Sequence, residues 1–500
     1  MKGTKGILFL GALVLALLCL TTAASAKDTL VVADQYDATT MDPIAHNDVP
    51  SSRACYSIYD TLIFLDGEGK VHPGLAEKWE FLSGTAYKFY LRKGVKFHNG
   101  EELKAEDVRY SIMRATTDLG APITTYSQNV KDVEVVDDYT VIVHLKKEDY
   151  SFFSSLAHSW GSILNKKYTE EAGQGFGMNP VGTGPFRFVE WQKNNRYVLE
   201  RFNDYWGPKV RFERLEVRAI PEPTNRTIEL ETGGVDIAYP IVHNDLKRVA
   251  ENPDLVLYRK PQTSVTYVGF NMTKEPFTDK KVRHAIYAAL DVVGIQAASY
   301  RGVGKVPNSL VPEAIKYSID SEVPVHVQNQ KEAEKLLKEA GVKGLKLQLW
   351  TNERKERVDS ATIIQAQLQE VGIESEIKVL EWGAYLSGLQ EKTHDMFILG
   401  WVSTVPDPNF AIAGLLESTS GSNYTFTKDA KIDEMLAEGR GVPDGDARAK
   451  IYKDLQLYIN ELRPMIYLHN DESIAGTRKN VKGFEPRSNE IHSFREVYFE

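Results

Sequence analysis

NPVGTGPFRFVEWQKNNRYVLERFNDYWG, residues 179–207, is the most informative stretch of the sequence. Gly182 and Gly184 give the backbone conformational freedom on both sides of Thr183, and Pro185 directs the chain into an extended segment. Two runs of large side chains follow, separated by the polar turn QKNN. This pattern predicts a β-hairpin that is entered through a glycine turn. Because a strand follows the proline, the Gly-Thr-Gly turn is not a phosphate-binding loop, and we expect it to be structural.

The same stretch resembles the central segment of the family 5 extracellular solute-binding proteins, the peptide- and nickel-type binding components of ABC importers. Shorter family-like elements occur along the chain: MDP (41–43), PGLAEKW (73–79), LKAEDVRYSI (103–112), GGVDIA (233–238) and PFTDKKVRHAI (276–286). The resemblance implies an α/β fold of the periplasmic binding protein type, class II. In this fold two lobes are joined by a hinge, and the first lobe carries an extra inserted subdomain.

The resemblance also implies how the chain is divided. Lobe I is expected to comprise residues 27–69, 180–269 and 470–500, with residues 70–179 as its inserted subdomain and residues 270–469 as lobe II. We expect the two passages between the lobes near Tyr267–Asn271 and Leu468–Asp471.

Residues 1–26 have the pattern of a cleavable secretory signal. A basic start precedes an apolar run at Ile7–Leu20, and Ala24-Ser25-Ala26 provides a small-residue exit. The run is shorter than the roughly 20 residues that span a bilayer. Cys19 lacks the small preceding residue of a lipoprotein signal. We therefore expect cleavage after Ala26 and export to the periplasm.

Composition and motifs exclude several classes of function. The formal charge of −9, with no basic cluster, argues against a nucleic-acid partner. Only Cys55 remains after signal cleavage, so no intramolecular disulfide is expected. The histidines show no metal-ligand spacing, and we expect neither a metal nor a cofactor. The permease and ATPase subunits of the importer are expected to be separate chains. The protein itself is expected to be a monomer that contacts the permease directly.

The sequence changes to an α/β texture after about Lys331. Apolar periodicity predicts strands at 345–350, 373–380 and 395–401 and helices at 332–340, 356–371 and 383–390. Strands that alternate with helices in this way imply right-handed crossovers and a mixed or parallel sheet.

Two tryptophans stand at the ends of predicted strands in this region. Trp382 follows one strand and Trp401 ends the next. If those strands are parallel neighbours, both indoles lie at carboxyl ends, where open α/β sheets bind ligands. Either tryptophan alone is better explained as a core or rim residue, and the shared geometry of the pair makes a ligand site an equal alternative. In the peptide-binding members that the chain resembles, the Glu-Trp and Gly-Trp pairs matched by Glu381-Trp382 and Gly400-Trp401 line the pocket.

The chain departs from that resemblance at one position. Peptide-binding members usually place an aspartate three residues after the second tryptophan, where it pairs with the ligand's α-ammonium, and this chain has Thr404. A hydroxyl cannot neutralise a buried ammonium, and an unpaired buried charge costs several kcal/mol. Asp407 is a candidate substitute, although it matches the family's separate Asp-Pro step. A modified peptide, amide, sugar derivative or other small solute is therefore favoured over a free-amine peptide.

Other candidate ligand-binding residues rest on weaker patterns. Tyr36 and Asp37 lie on the loop after the first strand, which contacts ligand in relatives, and a solvated loop explains them equally well. Tyr267 resembles a pocket tyrosine of the family. Arg354 and Arg357 are candidates for clamping an anionic group, with a solvated helix start as the alternative. Tyr385 and His469 complete the set.

The predicted function is capture of a peptide-like or other small solute between the lobes and its delivery to an ABC importer. No nucleophile elbow, zinc-protease helix or nucleotide-binding loop occurs, so an enzyme is not expected. Two alternatives stay open: a secreted hydrolase that uses a carboxylate pair in the same cleft, and a periplasmic chaperone that binds extended polypeptide.

Overall fold

The structure is a computed structural model that describes residues 28–67 and 69–500. The predicted signal peptide, residues 1–26, lies outside the described residues. The strands are, in chain order, β1 (Thr29–Asp34), β2 (Ile63–Leu65), β3 (Val71–Pro73), β4 (Ala76–Ser83), β5 (Ala86–Leu91), β6 (Val130–Asp137), β7 (Thr140–Leu145), β8 (Phe186–Gln192), β9 (Arg196–Arg201), β10 (Arg214–Ala219), β11 (Ile237–Ala238), β12 (Leu255–Pro261), β13 (Ser264–Phe270), β14 (Lys346–Asn352), β15 (Glu374–Leu380), β16 (Met396–Val402), β17 (Met465–His469), β18 (Glu472–Arg478), β19 (Val481–Lys482) and β20 (Tyr498–Phe499).

The α-helices are α1 (Val49–Ile58), α2 (Ala105–Arg114), α3 (Thr124–Ser127), α4 (Phe152–Ser155), α5 (Lys166–Ala172), α6 (Pro223–Thr232), α7 (Leu246–Glu251), α8 (Lys280–Ala289), α9 (Val292–Ser299), α10 (Gln330–Glu339), α11 (Lys355–Glu370), α12 (Trp382–Gln390), α13 (Pro408–Leu416), α14 (Ala430–Gly441) and α15 (Asp446–Leu462). Within the part of the chain that the structure describes, none of these helices combines the length and apolarity needed to cross a bilayer.

Lobe I is built on a seven-stranded mixed sheet with the order β12-β18-β11-β1-β10-β9-β8. Its central strand β1 runs parallel to both β10 and β11, whereas β8 and β9 form the predicted antiparallel hairpin. Strands from the beginning, the middle and the end of the chain therefore share one sheet. A separate four-stranded antiparallel sheet, β4-β5-β7-β6, forms the core of the subdomain inserted into this lobe.

Lobe II is built on a five-stranded mixed sheet with the order β15-β14-β16-β13-β17. The strands that precede the two candidate tryptophans, β15 and β16, are not neighbours, because β14 lies between them. This corrects the arrangement considered from the sequence. Since β14 is parallel to both strands, their carboxyl ends still lie at one edge of the sheet.

The chain passes between the two sheets at two points. The first passage lies between β12, which ends at Pro261, and β13, which begins at Ser264. The expected position near Tyr267–Asn271 is wrong, because β13 pairs with β16 from Ser264 through Phe270 and so belongs to lobe II. The second passage lies between β17 and β18, at the expected place near Asp471.

The glycine turn that opens the hairpin packs directly on the end of helix α1. The Gly184 N–H donates to the Ile58 carbonyl at 2.9 Å. A Cβ atom on Gly182 would lie 2.2 Å from the Ile58 oxygen, and one on Gly184 would lie 2.6 Å from the Ile58 carbonyl carbon. Neither glycine has a positive φ. Close approach of two backbones, and not conformational freedom, therefore requires glycine at both positions.

Both ends of the signature stretch meet at one buried carboxylate. Asp60, whose side chain is 4% exposed, lies two residues after helix α1. It accepts hydrogen bonds from Thr183 Oγ1 (3.2 Å), Trp206 Nε1 (2.8 Å), Tyr205 Oη (3.4 Å) and Arg495 Nη2 (2.8 Å). The hairpin, the helix and the C-terminal tail are thus held at a single point.

We expect Asp60→Ala to lower the free energy of unfolding by about 3 kcal/mol, because it leaves several buried donors and a guanidinium without their acceptor. Urea unfolding measures the change. The matched control is Asp204→Ala in the same stretch. Asp204 pairs with Lys96 at the surface, where the two side chains are 59% and 49% exposed, so the control should cost less than about 0.5 kcal/mol. Equal losses in the two variants would contradict this role for Asp60.

His98 makes the glycine turn sensitive to pH. Its Nδ1 accepts from the Gly182 N–H at 3.2 Å, so the neutral ring carries its proton on Nε2, which donates to the Gly184 carbonyl at 3.0 Å. Burial lowers the pKa of His98 to about 4. The unfolded chain binds a proton near pH 6.5 and the folded chain does not, so stability falls as the pH drops below that value.

Acidification from pH 7 to pH 5 should therefore cost about 2 kcal/mol through His98 alone. In His98→Gln, whose amide can offer both an acceptor and a donor, the loss between these two pH values should be smaller than in the wild type by that amount. Urea unfolding at both pH values tests the difference. Identical pH dependence in the two proteins would show that His98 does not contribute.

Candidate functional site

The candidate site lies where the carboxyl ends of the lobe II strands face lobe I. Strands β14, β15 and β16 end at this edge with Asn352, Leu380 and Val402. From lobe I, the loop after β1 brings Tyr36 to the same region. This is the edge at which open α/β sheets bind ligands.

The two tryptophans occupy this edge in different environments. Trp382 is the first residue of α12 and is 41% exposed, and the carboxylate of Glu381 caps that helix by accepting from the Gly383 and Ala384 amides. Trp401 is partly buried against helix α13, where a Cβ atom on Gly414 would lie 2.3 Å from its ring. Its indole Nε1 is buried and has no hydrogen-bond partner.

Gly400 leaves room for a buried guanidinium. A Cβ atom at this position would lie 2.7 Å from Arg357 Nη2. Arg357 is 7% exposed, donates to Asn352 Oδ1 at 3.0 Å, and forms no ion pair within residues 28–67 and 69–500. Burial lowers the pKa of Arg357, and the positive charge of Arg354 lowers it further. Arg357 is therefore a buried cation without an acidic partner in the described chain.

The charge of Arg354, in contrast, is balanced. Its guanidinium donates to Asp471 at 2.9 Å and to Glu356 at 3.2 Å. Asp471 also lies 3.5 Å from His469 Nε2 and 4.0 Å from His243 Nε2. Burial opposes ionisation of this carboxyl, but the nearby His469 ring and the positive charge of Arg354 outweigh it and lower the pKa of Asp471. Arg354 thus helps to hold the second passage between the lobes.

Thr404 lies at the boundary between the lobes. Its hydroxyl is 3.4 Å from the hydroxyl of Tyr126 in the inserted subdomain, and its carbonyl accepts from Asn489 Nδ2 at 2.9 Å in the C-terminal tail. Tyr126 also packs against Phe410 of helix α13, with 4.9 Å between ring centroids, and stacks on His158 at 4.5 Å. Residue 404 therefore contacts two segments of lobe I.

Asp407 does not replace the missing ammonium-binding aspartate. Its two carboxylate oxygens accept a bidentate pair of hydrogen bonds from Arg448, each at 2.9 Å, and Oδ1 also caps helix α13 by accepting from the Asn409 amide. With 3% exposure and a fully committed carboxylate, Asp407 fixes the loop after β16. Asp407 and Pro408 thus form the start of helix α13, which accounts for the Asp-Pro step at this place.

The two candidates in lobe I, Tyr36 and Asp37, also differ in their surroundings. Tyr36 is 47% exposed on the loop after β1. Asp37 is occupied by the hairpin: it accepts from Trp191 Nε1 at 2.9 Å and from the Asn194 amide at 2.7 Å. Asp37 therefore fastens the signature hairpin to the loop that carries Tyr36.

The remaining candidates form a buried layer beneath the edge. Tyr267, Tyr385 and His469 are at most 1% exposed. The Tyr385 hydroxyl donates to the Ile398 carbonyl, and the His469 ring stacks on Tyr300 with 3.6 Å between centroids. The sequence offered no local signal for Tyr300, nor for Tyr126 and Asn489, because their contacts join distant parts of the chain.

No metal centre is apparent in the region that the structure covers, residues 28–67 and 69–500, where no three His, Cys, Asp or Glu side chains are grouped to hold an ion. The site is instead an edge with two indoles, one phenol and one unpaired guanidinium. Such a combination of aromatic surface and a few directed polar groups is typical of small-molecule sites.

Comparison with known proteins shows similarity over nearly the whole chain. The profile described as bacterial extracellular solute-binding proteins, family 5 Middle, matches residues 70–423. The chain is 29% identical to the dipeptide-binding protein of Escherichia coli (strain K12) over 539 aligned positions, which cover 99% of each protein. It is 30% identical to heme-binding protein A of Haemophilus influenzae over 464 positions, covering 85% of this chain and 84% of that relative.

A solved structure shows the same architecture. The ABC transporter-associated periplasmic binding protein DppA from Helicobacter pylori, in complex with the peptide STSA, matches with a TM-score of 0.89 and 29% identity over 95% of this chain and 98% of that one. The two-lobed fold expected from the sequence is confirmed, and the family consists of substrate-binding proteins and not of enzymes. The chain belongs to the bacterial extracellular solute-binding proteins of family 5, the ligand-binding components of ABC importers.

Proposed function

We propose that this protein captures a small solute or short peptide-like ligand between its lobes, at the edge formed by β14, β15 and β16, and hands it to an ABC permease. The observation that carries the proposal is Arg357, a buried guanidinium at the carboxyl end of β14 without an acidic partner in the described chain. Burying a charge without a partner costs several kcal/mol, so such a residue is favoured where a ligand supplies the counter-charge.

The ligand would contact both lobes. Trp382, Trp401 and Arg357 represent lobe II, and Tyr36 represents lobe I. Gly400 would act by making room for Arg357, while Tyr267 and Tyr385 would support the aromatic floor. Arg354, Asp37 and Asp407 would position neighbouring segments, since their charges are already engaged.

Closure about the two passages provides the mechanism. We place the hinge at residues 262–263 and 470–471, with lobe I from residues 27–261 and 472–500, its subdomain within residues 70–179, and lobe II from residues 264–469. A ligand that contacts both lobes stabilises the closed state. To convert closure from rare to dominant, it must prefer that state by about 5.5 kcal/mol.

The cellular setting follows from the family. Members of the family are periplasmic, and we propose that residues 1–26 direct export and are removed after Ala26. The protein would act as a monomer that contacts its permease directly, with the membrane and ATPase subunits on other chains. Relatives bind a dipeptide or heme according to their names, so the ligand class of this chain has to be measured.

The function is tested by identifying what the purified protein holds. Mass spectrometry of material released by denaturation should find one solute class, and adding that solute back to the stripped protein should raise its melting temperature and reduce its radius of gyration. If the solute is chemically changed by the protein, the hydrolase alternative applies. Tight binding of unfolded polypeptides would instead favour the chaperone.

Trp382→Ala should weaken binding of the released solute about 30-fold, which corresponds to about 2 kcal/mol of lost aromatic contact. The melting temperature of the stripped protein should not change, because the indole is 41% exposed. Phe81→Ala is the control: Phe81 is 59% exposed on β4 of the subdomain and should leave affinity unchanged. Unaltered affinity in Trp382→Ala would remove this indole from the site.

Arg357→Met should change binding and stability in opposite directions. We expect affinity for the released solute to fall at least 100-fold, because the ligand loses its counter-charge. The free energy of unfolding of the stripped protein should rise by about 1 kcal/mol, because an uncompensated buried cation is removed.

Arg448→Met is the matched control for that variant. It removes an equally buried arginine whose partner Asp407 would be left unpaired. It should therefore destabilise the stripped protein by about 3–5 kcal/mol. If Arg357→Met destabilised the protein as much as this control does, a structural role for Arg357 would replace the proposed one. Isothermal titration and urea unfolding supply both measurements.

A further inference from the structure

We propose that the ligand is an anion without a cationic amine, in which an uncharged hydrogen-bond acceptor such as an acyl carbonyl lies against Trp401 and Thr404. N-acylated amino acids and N-acylated peptides are the solute class that combines these groups. The inference rests on the proposed function, since it concerns the chemistry of the same site.

The segment after Trp401 offers no carboxylate to an ammonium. Asp407 and Glu417 are the acidic residues between positions 401 and 417. Asp407 is held by Arg448 through two hydrogen bonds, and Glu417 is held by Arg440 at 2.7 Å. Both carboxylates are therefore committed to arginines of lobe II.

Thr404 itself offers only uncharged groups to a ligand. Its hydroxyl lies 3.4 Å from the Tyr126 hydroxyl, and its carbonyl already accepts from Asn489. These groups carry no charge, so they cannot balance an ammonium that is removed from water. An ammonium placed here would lose several kcal/mol of hydration without compensation.

The buried polar atoms of this segment that lack a hydrogen-bond partner are mainly donors. Trp401 Nε1 is buried without a partner, and an indole nitrogen can only donate. Asn409 Nδ2 is likewise unpartnered, and its orientation is fixed because Arg440 Nε donates to its Oδ1. The hydroxyl of Ser403, also without a partner, is neutral. Buried donors favour a ligand group that accepts hydrogen bonds.

The charges at the lobe boundary favour a negatively charged ligand. At the lobe boundary, Asp471 and Glu356 both face Arg354, which leaves Arg357 without an acidic partner in the described chain. Glu490, a carboxylate of lobe I in this region, accepts from Gln262 at 2.8 Å and lies 4.0 Å from Arg53. An anionic group on the ligand would balance Arg357.

A panel of matched solutes tests the inference on the ligand-stripped full chain. Each set contains a free-amine dipeptide, its N-acetyl derivative and the N-acetyl amide, for example Ala-Phe, N-acetyl-Ala-Phe and N-acetyl-Ala-Phe amide. Titration calorimetry should show that the N-acetyl acid binds at least tenfold more tightly than the free-amine dipeptide. Removing its carboxylate charge in the amide should cost at least tenfold in affinity.

Two variants sharpen the test. Thr404→Asp should reverse the order, so that the free-amine dipeptide binds at least tenfold more tightly than its N-acetyl derivative. Thr404→Ser, the control, should keep the wild-type order because it retains an uncharged hydroxyl.

The inference is overturned if the free-amine dipeptides bind wild type as tightly as their N-acetyl derivatives, or if no N-acetylated acid of the panel binds. Either outcome leaves the proposed function standing when the solute released from the protein still binds and closes the lobes. A protein that binds no solute of any charge, that converts its solute chemically, or that binds unfolded polypeptides tightly would contradict the proposed function itself.

Discussion

The carboxylate of Asp60 is the constraint on which lobe I depends. Its oxygens join the glycine turn through Thr183, the end of the hairpin through Trp206, and the C-terminal tail through Arg495. These three segments are separated by up to several hundred residues along the chain. Local sequence cannot specify how they meet, and a single buried acceptor holds them together. Because the tail also supplies Asn489 to the loop of Thr404, this anchor is mechanically connected to the candidate site.

The charged groups at the lobe boundary divide into two kinds. Arg448 with Asp407 and Arg53 with Asp34 are buried pairs at hydrogen-bonding distance, and Arg354 with Asp471 is a partly buried one. Such pairs contribute little net stability over an apolar replacement, but breaking one is costly, and so they fix the geometry of loops and passages. Arg357 differs because its neighbours are uncharged, apart from Arg354. We propose that a ligand completes the structure at Arg357, which has no acidic partner within residues 28–67 and 69–500.

Local patterns predicted much of the fold. The hairpin β8–β9 and the alternation of β14 to β16 with α11 and α12 all follow from side-chain periodicity, and the observed bounds of β14 to β16, α11 and α12 differ from the predicted ones by at most two residues. The carboxyl ends of β14, β15 and β16 lie at one edge of the sheet, as a parallel arrangement of these strands implies. The insertion of β14 between β15 and β16 did not follow from periodicity, because strand order depends on crossovers that no local pattern encodes.

The candidate site was less predictable for the same physical reason. The fate of Asp407 depends on Arg448, which lies 41 residues away along the chain, and that of Asp37 on Trp191, which lies 154 residues away. A carboxylate looks identical in a sequence whether it is free or already paired. The sequence alone therefore marks Thr404 as a departure from the family pattern, but it does not reveal that the neighbouring Asp407 is already paired.

The contacts of Thr404 bear on how closure and recognition are coupled. A charged aspartate at this position would need a ligand ammonium to be buried, so that closure would depend on the ligand. A threonine that contacts Tyr126 and Asn489 can be buried between the lobes with its polar atoms already engaged. Contacts of this kind, together with the packing of Tyr126 on Phe410, favour the closed state without any ligand. We propose that these contacts reduce the preference that the ligand must supply, and that the charge of Arg357, which opposes an unliganded closed state, keeps closure dependent on the solute.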